Sequence, residues 1–180
     1  SFALRKGTRL YEGSGWGALD NARRKRAGEK LLEAQLDFGE VGELQQAWAG
    51  LLEGKGFPEP EGDYLASSYM VQDEFYELLL AAEKSNPDNW YLQAHIAINL
   101  FQRQDYAGAK TSFLKSLSLR PSTLAYFGLA CTERLLGEKE LCAEHGEAAV
   151  ALSPDNASLV REVFRNCREF QQWKTILRIY

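Results

Sequence analysis

The sequence predicts an all-α fold built from consecutive pairs of antiparallel helices, because proline-containing segments recur at a regular interval. Pro87, Pro121 and Pro154 stand in matching contexts and are separated by 34 and 33 residues. Each proline follows one amphipathic stretch and precedes another, and the Asp, Asn, Ser or Thr residues after it can cap the next helix. A period of this length is typical of helical repeat arrays.

Each unit of this period contains two apolar stripes separated by a polar turn. In the first unit, one stripe includes Ile96, Ala97 and Leu100, and the other includes Ala109 and Phe113. Spacings of three and four residues place such side chains on one face of a helix, so we expect two helices of about three turns per unit. The stripes of the next two units contain Tyr126, Leu129, Ala130, Cys142, Gly146, Ala149, Val160, Val163, Phe164, Cys167, Trp173, Ile176, Leu177 and Tyr180.

These positions resemble the tetratricopeptide-repeat family, whose unit is a pair of antiparallel helices with small residues where the two cross. Ala97 and Ala130 match the small position of the family's first helix. Ala109 and Cys142 match the early small position of its second helix, and Phe113 matches its aromatic position. The resemblance implies a right-handed superhelix of antiparallel helix pairs that acts in protein–protein interaction.

The resemblance covers residues 90–180, where we expect about two full repeats and one partial repeat. Gly146 and Phe164 depart from the family pattern, which has an aromatic and a small residue at these positions. Residues 1–89 are expected to form an irregular start, a helical cap and half a repeat. The half repeat is the apolar stripe Val71–Ala82, and the Gly/Pro-rich stretch Gly54–Gly62 before it predicts a loop.

The N-terminal part carries two further helical patterns and a second resemblance. Helices are expected at about Ala18–Leu36 and along the stripe Val41–Leu52, whereas the first fifteen residues have no regular pattern. The stretches Gly15–Asp20, Leu36–Glu40 and Trp48–Leu52 are similar to a junction in certain bacterial proteins, in which a sugar-mutarotase-like β-sandwich precedes tetratricopeptide repeats. This second resemblance implies an alternative function, as a helical accessory region that supports a carbohydrate-related β domain.

Composition and charge argue against several classes of partner. The net charge is −4, with 21 basic and 25 acidic side chains, so we expect no general attraction to nucleic acid or to anionic membranes. No apolar run approaches the length that spans a bilayer. Cys131, Cys142 and Cys167 fit small buried residues in a reducing compartment, which predicts a cytoplasmic location.

No pattern of catalytic or cofactor-binding residues stands out, so we expect a protein that is not an enzyme and needs no metal or cofactor. His95 and His145 lack metal-ligand spacing. The stretch Gly13–Ala18 fits a loose dinucleotide fingerprint, but the residues before it are too polar for a buried strand. The basic run Arg23–Arg26 spreads around its helix and is typical of a solvated surface.

The expected binding surface is the concave groove that first helices line in tetratricopeptide repeats. Three arginines of the last unit share one helix face, and the preceding first helices offer mainly apolar side chains. This arrangement predicts an extended peptide partner with apolar anchors and an acidic end, because guanidinium groups pair with carboxylates. The alternative is a solvated face, partly neutralised by Glu162 and Glu169. The candidate groove residues are Tyr91, Ala94, Ile98, Phe101, Leu124, Phe127, Cys131, Arg134, Arg161, Arg165 and Arg168.

The last predicted helix presents an apolar face without a following helix to cover it. A solenoid needs a polar cap at its end. We therefore expect either further repeats or a homodimer through this helix, with Trp173, Ile176, Leu177 and Tyr180 as the candidate contact residues.

Overall fold

The computed structural model describes residues 15–32, 38–63 and 69–179, and these residues form nine α-helices and no β-strand. The predicted all-α class is confirmed. The chain divides between Phe57 and Pro58 into two compact units. The helices are α1 (Trp16–Ala27), α2 (Glu43–Leu52), α3 (Asp73–Ser85), α4 (Trp90–Gln102), α5 (Tyr106–Leu119), α6 (Thr123–Leu136), α7 (Lys139–Leu152), α8 (Ala157–Glu169) and α9 (Trp173–Ile179).

In the N-terminal unit, α1 is shorter than the sequence predicted. Gly28 ends the helix in the left-handed region, with φ of 70°, and the N–H of Glu29 bonds back to the carbonyl of Arg24 at 2.8 Å. Because a glycine adopts this conformation without a Cβ penalty, it stops the helix before residues 29–32. The rest of the predicted helix, residues 33–36, lies outside the described residues, as does the start of the chain through residue 14.

The basic run on α1 is less solvated than expected. Arg23 is buried, and it pairs with Asp20 at 2.9 Å and with Glu29 at 3.1 Å. Arg24 pairs with Asp20 at 2.7 Å. These two guanidinium groups, with their hydrogen bonds, hold the pKa of Asp20 below its usual value against the opposing effect of burial. The run therefore anchors the end of α1.

In the C-terminal unit, the predicted helix and turn pattern is confirmed from α3 onward. Side chains before each first helix cap it as expected: Asn89 accepts the N–H of Leu92, Ser122 that of Ala125, and Asn156 that of Leu159. Gly137 ends α6 with φ of 77°, at the turn that the sequence predicted. None of the described helices is long and apolar enough to cross a membrane.

The first helices of the repeats, α4, α6 and α8, lie on the inner side of the stack. Helix α6 contacts both α4 and α8, whereas no Cα atom of α5 lies within 8 Å of one in α7, two helices that the structure describes completely. The second helices α5 and α7 thus diverge where the first helices converge, whereas α7 and the short α9 do contact each other. We call the surface formed by α4, α6 and α8 the first-helix face.

A buried charged cluster joins the helices of the middle repeat. The side chain of Glu133 on α6 is fully buried, and its carboxylate lies 2.8 Å from Nδ1 of His145 on α7. Lys110 on α5 lies 3.8 Å from the same carboxylate and also pairs with Glu138. These contacts compensate the cost of burying a carboxylate and fix α6 between its neighbours.

Candidate functional site

The predicted groove residues occupy equivalent positions of the first helices. They are the second, fifth, ninth and twelfth residues of each helix, so they follow one another along the same face. The set on α4 is Tyr91, Ala94, Ile98 and Phe101; that on α6 is Leu124, Phe127, Cys131 and Arg134; and that on α8 is Arg161, Arg165 and Arg168, with the unpredicted Ser158 at the second position.

The structure places the α4 residues largely in the interior. Tyr91 and Ala94 are 5% and 0% exposed, whereas Ile98 and Phe101 are partly buried. The residues before α3 lie against this helix. The ring of Tyr69 is 6.1 Å from that of His95, and the carbonyl of Met70 accepts a hydrogen bond from Asn99 Nδ2 at 3.1 Å.

An apolar pocket of about 250 Å³ lies between α4 and α6. It brings together five of the predicted groove residues. Phe113 of α5 is almost fully buried, and Gly128 leaves room for its ring, because a Cβ at that position would overlap the ring. The lining residues are Tyr69, Ile98, Phe101, Gln102, Phe113, Leu124, Phe127, Gly128 and Cys131.

Charged side chains lie near Cys131, the pocket residue on the side of α6 that faces α8. Burial raises the pKa of the Cys131 thiol to about 11, so the thiol stays neutral near pH 7 and acts as an apolar wall. Arg134 and Arg165 are close enough to oppose this shift, and Glu162 reinforces it. The surroundings of Cys131 therefore include two guanidinium groups and one carboxylate.

The arginines of α8 are exposed, as a solvent-facing site requires. Arg165 pairs with Glu162 on its own helix, and Arg134 lies 3.6 Å from Glu169. Within the described part of the chain, neither Arg161 nor Arg168 has a carboxylate within 4.0 Å. These two guanidinium groups are available to an acidic ligand.

The predicted self-association residues have different surroundings. Ile176 is buried against the core of α7 and α8, which includes Ala149 and Val163. Trp173 and Leu177 are 55% and 79% exposed. Tyr180 lies outside the described residues. Self-association through this end stays a prediction.

Sequence reasoning missed part of the pocket. Phe113 was assigned to the helix core, and Tyr69 and Gln102 were not considered as lining residues. Phe113 could have been found from the small Gly128 that faces it in the next repeat. Tyr69 has no periodic pattern to mark it. Among the described residues, no group of three or more His, Cys, Asp or Glu side chains is arranged to hold a metal ion.

Comparison with solved structures supports the fold assignment. A mutant of MamA, a tetratricopeptide-repeat-like helical solenoid, superposes with a TM-score of 0.52 at 17% identity, over 92% of this chain and 90% of that one. Another MamA structure, from MSR-1, gives a TM-score of 0.52 at 17% identity, over 91% of this chain and 88% of that one. The chain has the fold of a tetratricopeptide-repeat-like solenoid.

At the level of sequence, no family model matches the chain, and no curated protein matches it. The similarity to MamA therefore concerns the fold alone. The second resemblance, to a junction with a β-sandwich domain, stays a prediction.

Proposed function

We propose that this protein is a non-catalytic interaction scaffold that binds an extended peptide segment on its first-helix face. The observation that carries the proposal is an apolar pocket with one wall residue, Cys131, near two arginines. Ile98, Phe101, Leu124 and Phe127 supply its apolar walls, and the guanidinium groups begin at Arg134. An apolar recess near exposed cationic side chains is the kind of surface at which ligands bind.

The size of the pocket fits one side chain of the ligand. An apolar protein cavity of roughly 150 Å³ holds a benzene molecule, so about 250 Å³ accommodates an aromatic or a large aliphatic side chain. The volume is below the range of about 300–1,000 Å³ that is usual for small-molecule sites. A peptide anchor is therefore favoured over a free metabolite.

The positive charges on α8 indicate which residues the rest of the ligand carries. A peptide that continues from the pocket along α8 passes Arg161, Arg165 and Arg168, all exposed. Guanidinium groups form paired hydrogen bonds with carboxylates, so an acidic residue beyond the apolar anchor is favoured. We propose a partner segment with one bulky apolar residue followed by Asp or Glu.

The test is selection of random displayed peptides on the purified chain, followed by fluorescence anisotropy with synthetic versions of the selected peptides. We expect enrichment of a bulky apolar residue with carboxylates on one side. Phe127→Glu should weaken binding at least tenfold, because it places a charge at the pocket wall. Leu135→Glu on the same helix is the matched control, since Leu135 is 41% exposed and outside the pocket. Equal loss in both variants, or selected peptides without an apolar residue, would contradict the proposal.

A further inference from the structure

The chain already binds an acidic segment of its own across two first helices. The carboxylate of Glu59 accepts the N–H of Trp90, the first residue of α4, at 3.0 Å. Both carboxylate oxygens of Asp63 lie 3.0 Å from the N–H of Thr123, the first residue of α6. The hydroxyl of Thr123 also donates to Asp63 at 2.6 Å. Two carboxylates four residues apart thus reach equivalent positions of two successive repeats.

These contacts are additional to complete local caps. Asn89 and Ser122 already cap α4 and α6 from the residue before each helix. The carboxylates instead come from 31 and 60 residues away, and they satisfy a further helix N–H where negative charge is favoured. At the start of α8, the corresponding N–H of Ala157 bonds to the local carbonyl of Asp155.

The same stretch of chain makes two more contacts, one with Arg120 at the end of α5 and one at the pocket. Arg120 stacks over the ring of Trp90 at 4.9 Å and donates to the carbonyl of Pro60 at 3.4 Å. Further on, Tyr69 forms part of the pocket wall. It is the only lining residue among those described that does not belong to α4, α5 or α6.

We propose that this acidic segment, Pro58–Asp63 together with Tyr69 and Met70, is a built-in competitor of the partner peptide. The proposal rests on the proposed function of the pocket. The segment shares two features with the expected partner: spaced carboxylates and a bulky side chain at the pocket. A partner peptide that binds against the α4 side of the pocket competes with Tyr69 for that wall, and the carboxylate contacts of Glu59 and Asp63 set how readily the segment leaves.

The contacts of Glu59, Asp63 and Tyr69 can open without unfolding the repeats, whereas Met70 is buried and its hydrogen bond with Asn99 keeps the end of the segment attached. Glu59, Asp63 and Tyr69 are all exposed residues, and exposed charged contacts are weak individually. Its attachment to α3 gives it an effective concentration in the millimolar range, as expected for a short tether. A partner must overcome this local concentration, so releasing the segment increases the apparent affinity for any competing peptide.

The experiment measures binding of the segment in trans. The probe is a fluorescein-labelled synthetic peptide with the sequence of residues 58–70. We expect the wild-type chain to bind it at least tenfold more weakly than the double variant Glu59→Ala and Asp63→Ala, in which the tethered copy is released. A labelled peptide that carries the same two substitutions should not bind the double variant. Glu61→Ala is the matched control, because it removes the same charge from an exposed residue for which the described structure gives no ion pair.

A second variant covers the case in which the double variant does not fold. Tyr69→Ala weakens the segment without changing either carboxylate, and it should also increase binding of the labelled peptide. Circular dichroism melting verifies that each variant is folded. Folded Tyr69→Ala and double variants that bind the peptide no better than Glu61→Ala would overturn the proposal.

The result of this binding experiment can be distinguished from the result of the peptide selection that tests the proposed function. If selected peptides still depend on Phe127 but the chain's own segment never binds in trans, only the competitor proposal fails. If the segment binds in trans while no selected peptide depends on Phe127, the pocket proposal fails instead.

Discussion

The two ends of the first-helix face use the same helix positions in opposite ways. On α4, the fifth residue is Ala94, which is fully buried, and the ninth is Ile98 in the pocket wall. On α8, the equivalent residues are Arg161 and Arg165, which are exposed. The helices nevertheless have equivalent lengths and caps. Equivalent positions of the repeat are therefore part of the interior on α4 and part of the surface on α8.

The largest effect on stability is expected when the residue at one end of the first-helix face is replaced by the residue at the equivalent position of the other end. Ala94→Arg places a charged side chain at a position with 0% exposure, and we expect a loss of at least about 3 kcal/mol in the free energy of unfolding. The reverse change, Arg161→Ala, should alter stability by no more than about 0.5 kcal/mol, because surface substitutions rarely do more. Urea unfolding at pH 7 measures both. Similar losses in the two variants would show that the ends do not differ in burial.

Acid should lower the stability of the α4 end of the first-helix face through His95. Burial lowers the pKa of this imidazole from 6.5 to about 3. The unfolded chain therefore binds a proton below pH 6.5 that the folded chain does not bind until about pH 3. The stability that His95 contributes is complete above pH 6.5 and is lost progressively as the pH falls towards 3. Between pH 7 and pH 5 we expect a loss of about 2 kcal/mol from this group alone.

Comparison with His95→Gln isolates this group from the carboxylates, which titrate in both proteins. The difference between the two unfolding free energies should change by about 2 kcal/mol between pH 7 and pH 5. Parallel pH profiles for the wild type and the variant would exclude His95 as the group responsible.

A further effect on stability is expected at Gly128 of α6, the helix between the α4 and α8 ends of the first-helix face. A methyl group there collides with the ring of Phe113, which is 1% exposed and forms part of the pocket wall. Gly128→Ala should cost about 1–3 kcal/mol, as overpacking does, and should weaken binding of selected peptides. Gly50→Ala is the control. Its Cβ meets only ordinary contacts at 3.8 Å, so improved helix propensity should leave stability unchanged or raise it by up to about 1 kcal/mol.

Most of the fold could be predicted from the sequence because the signals for the helices and their ends are local and periodic. The caps Asn89, Ser122 and Asn156 and the glycine stop at Gly137 are adjacent to the helices they bound. The early end of α1 was missed because residues that favour helices continue past Gly28, whereas the left-handed conformation of that glycine ends the helix.

The candidate site was predictable only in part, for the opposite reason. The residues on α4, α6 and α8 follow from the repeat period, and Ile98, Phe101, Leu124, Phe127 and Cys131 do share one pocket. The acidic segment could not be anticipated, because Asp63 and Thr123 are 60 residues apart and neither belongs to a periodic pattern at that distance. Its carboxylates also resemble ordinary solvated side chains in a loop. Contacts between residues that are far apart in the sequence and follow no period can be identified only from the structure.

The smallest effects, on peptide affinity, are expected at the α8 end of the first-helix face, where single arginines are exposed to solvent. Arg161→Ala and Arg168→Ala should each weaken binding of a selected acidic peptide by about 1.4- to fivefold, since an exposed ion pair is worth about 0.2–1 kcal/mol. Arg165→Ala should have less effect, because Arg165 already pairs with Glu162. Lys174→Ala, an exposed cation on α9, is the control. Anisotropy titrations at about 50 and 500 mM salt should show the arginine contributions disappearing as screening increases. Affinity that is indifferent both to these arginines and to salt would mean that α8 presents a solvated surface, and that the pocket alone selects the ligand.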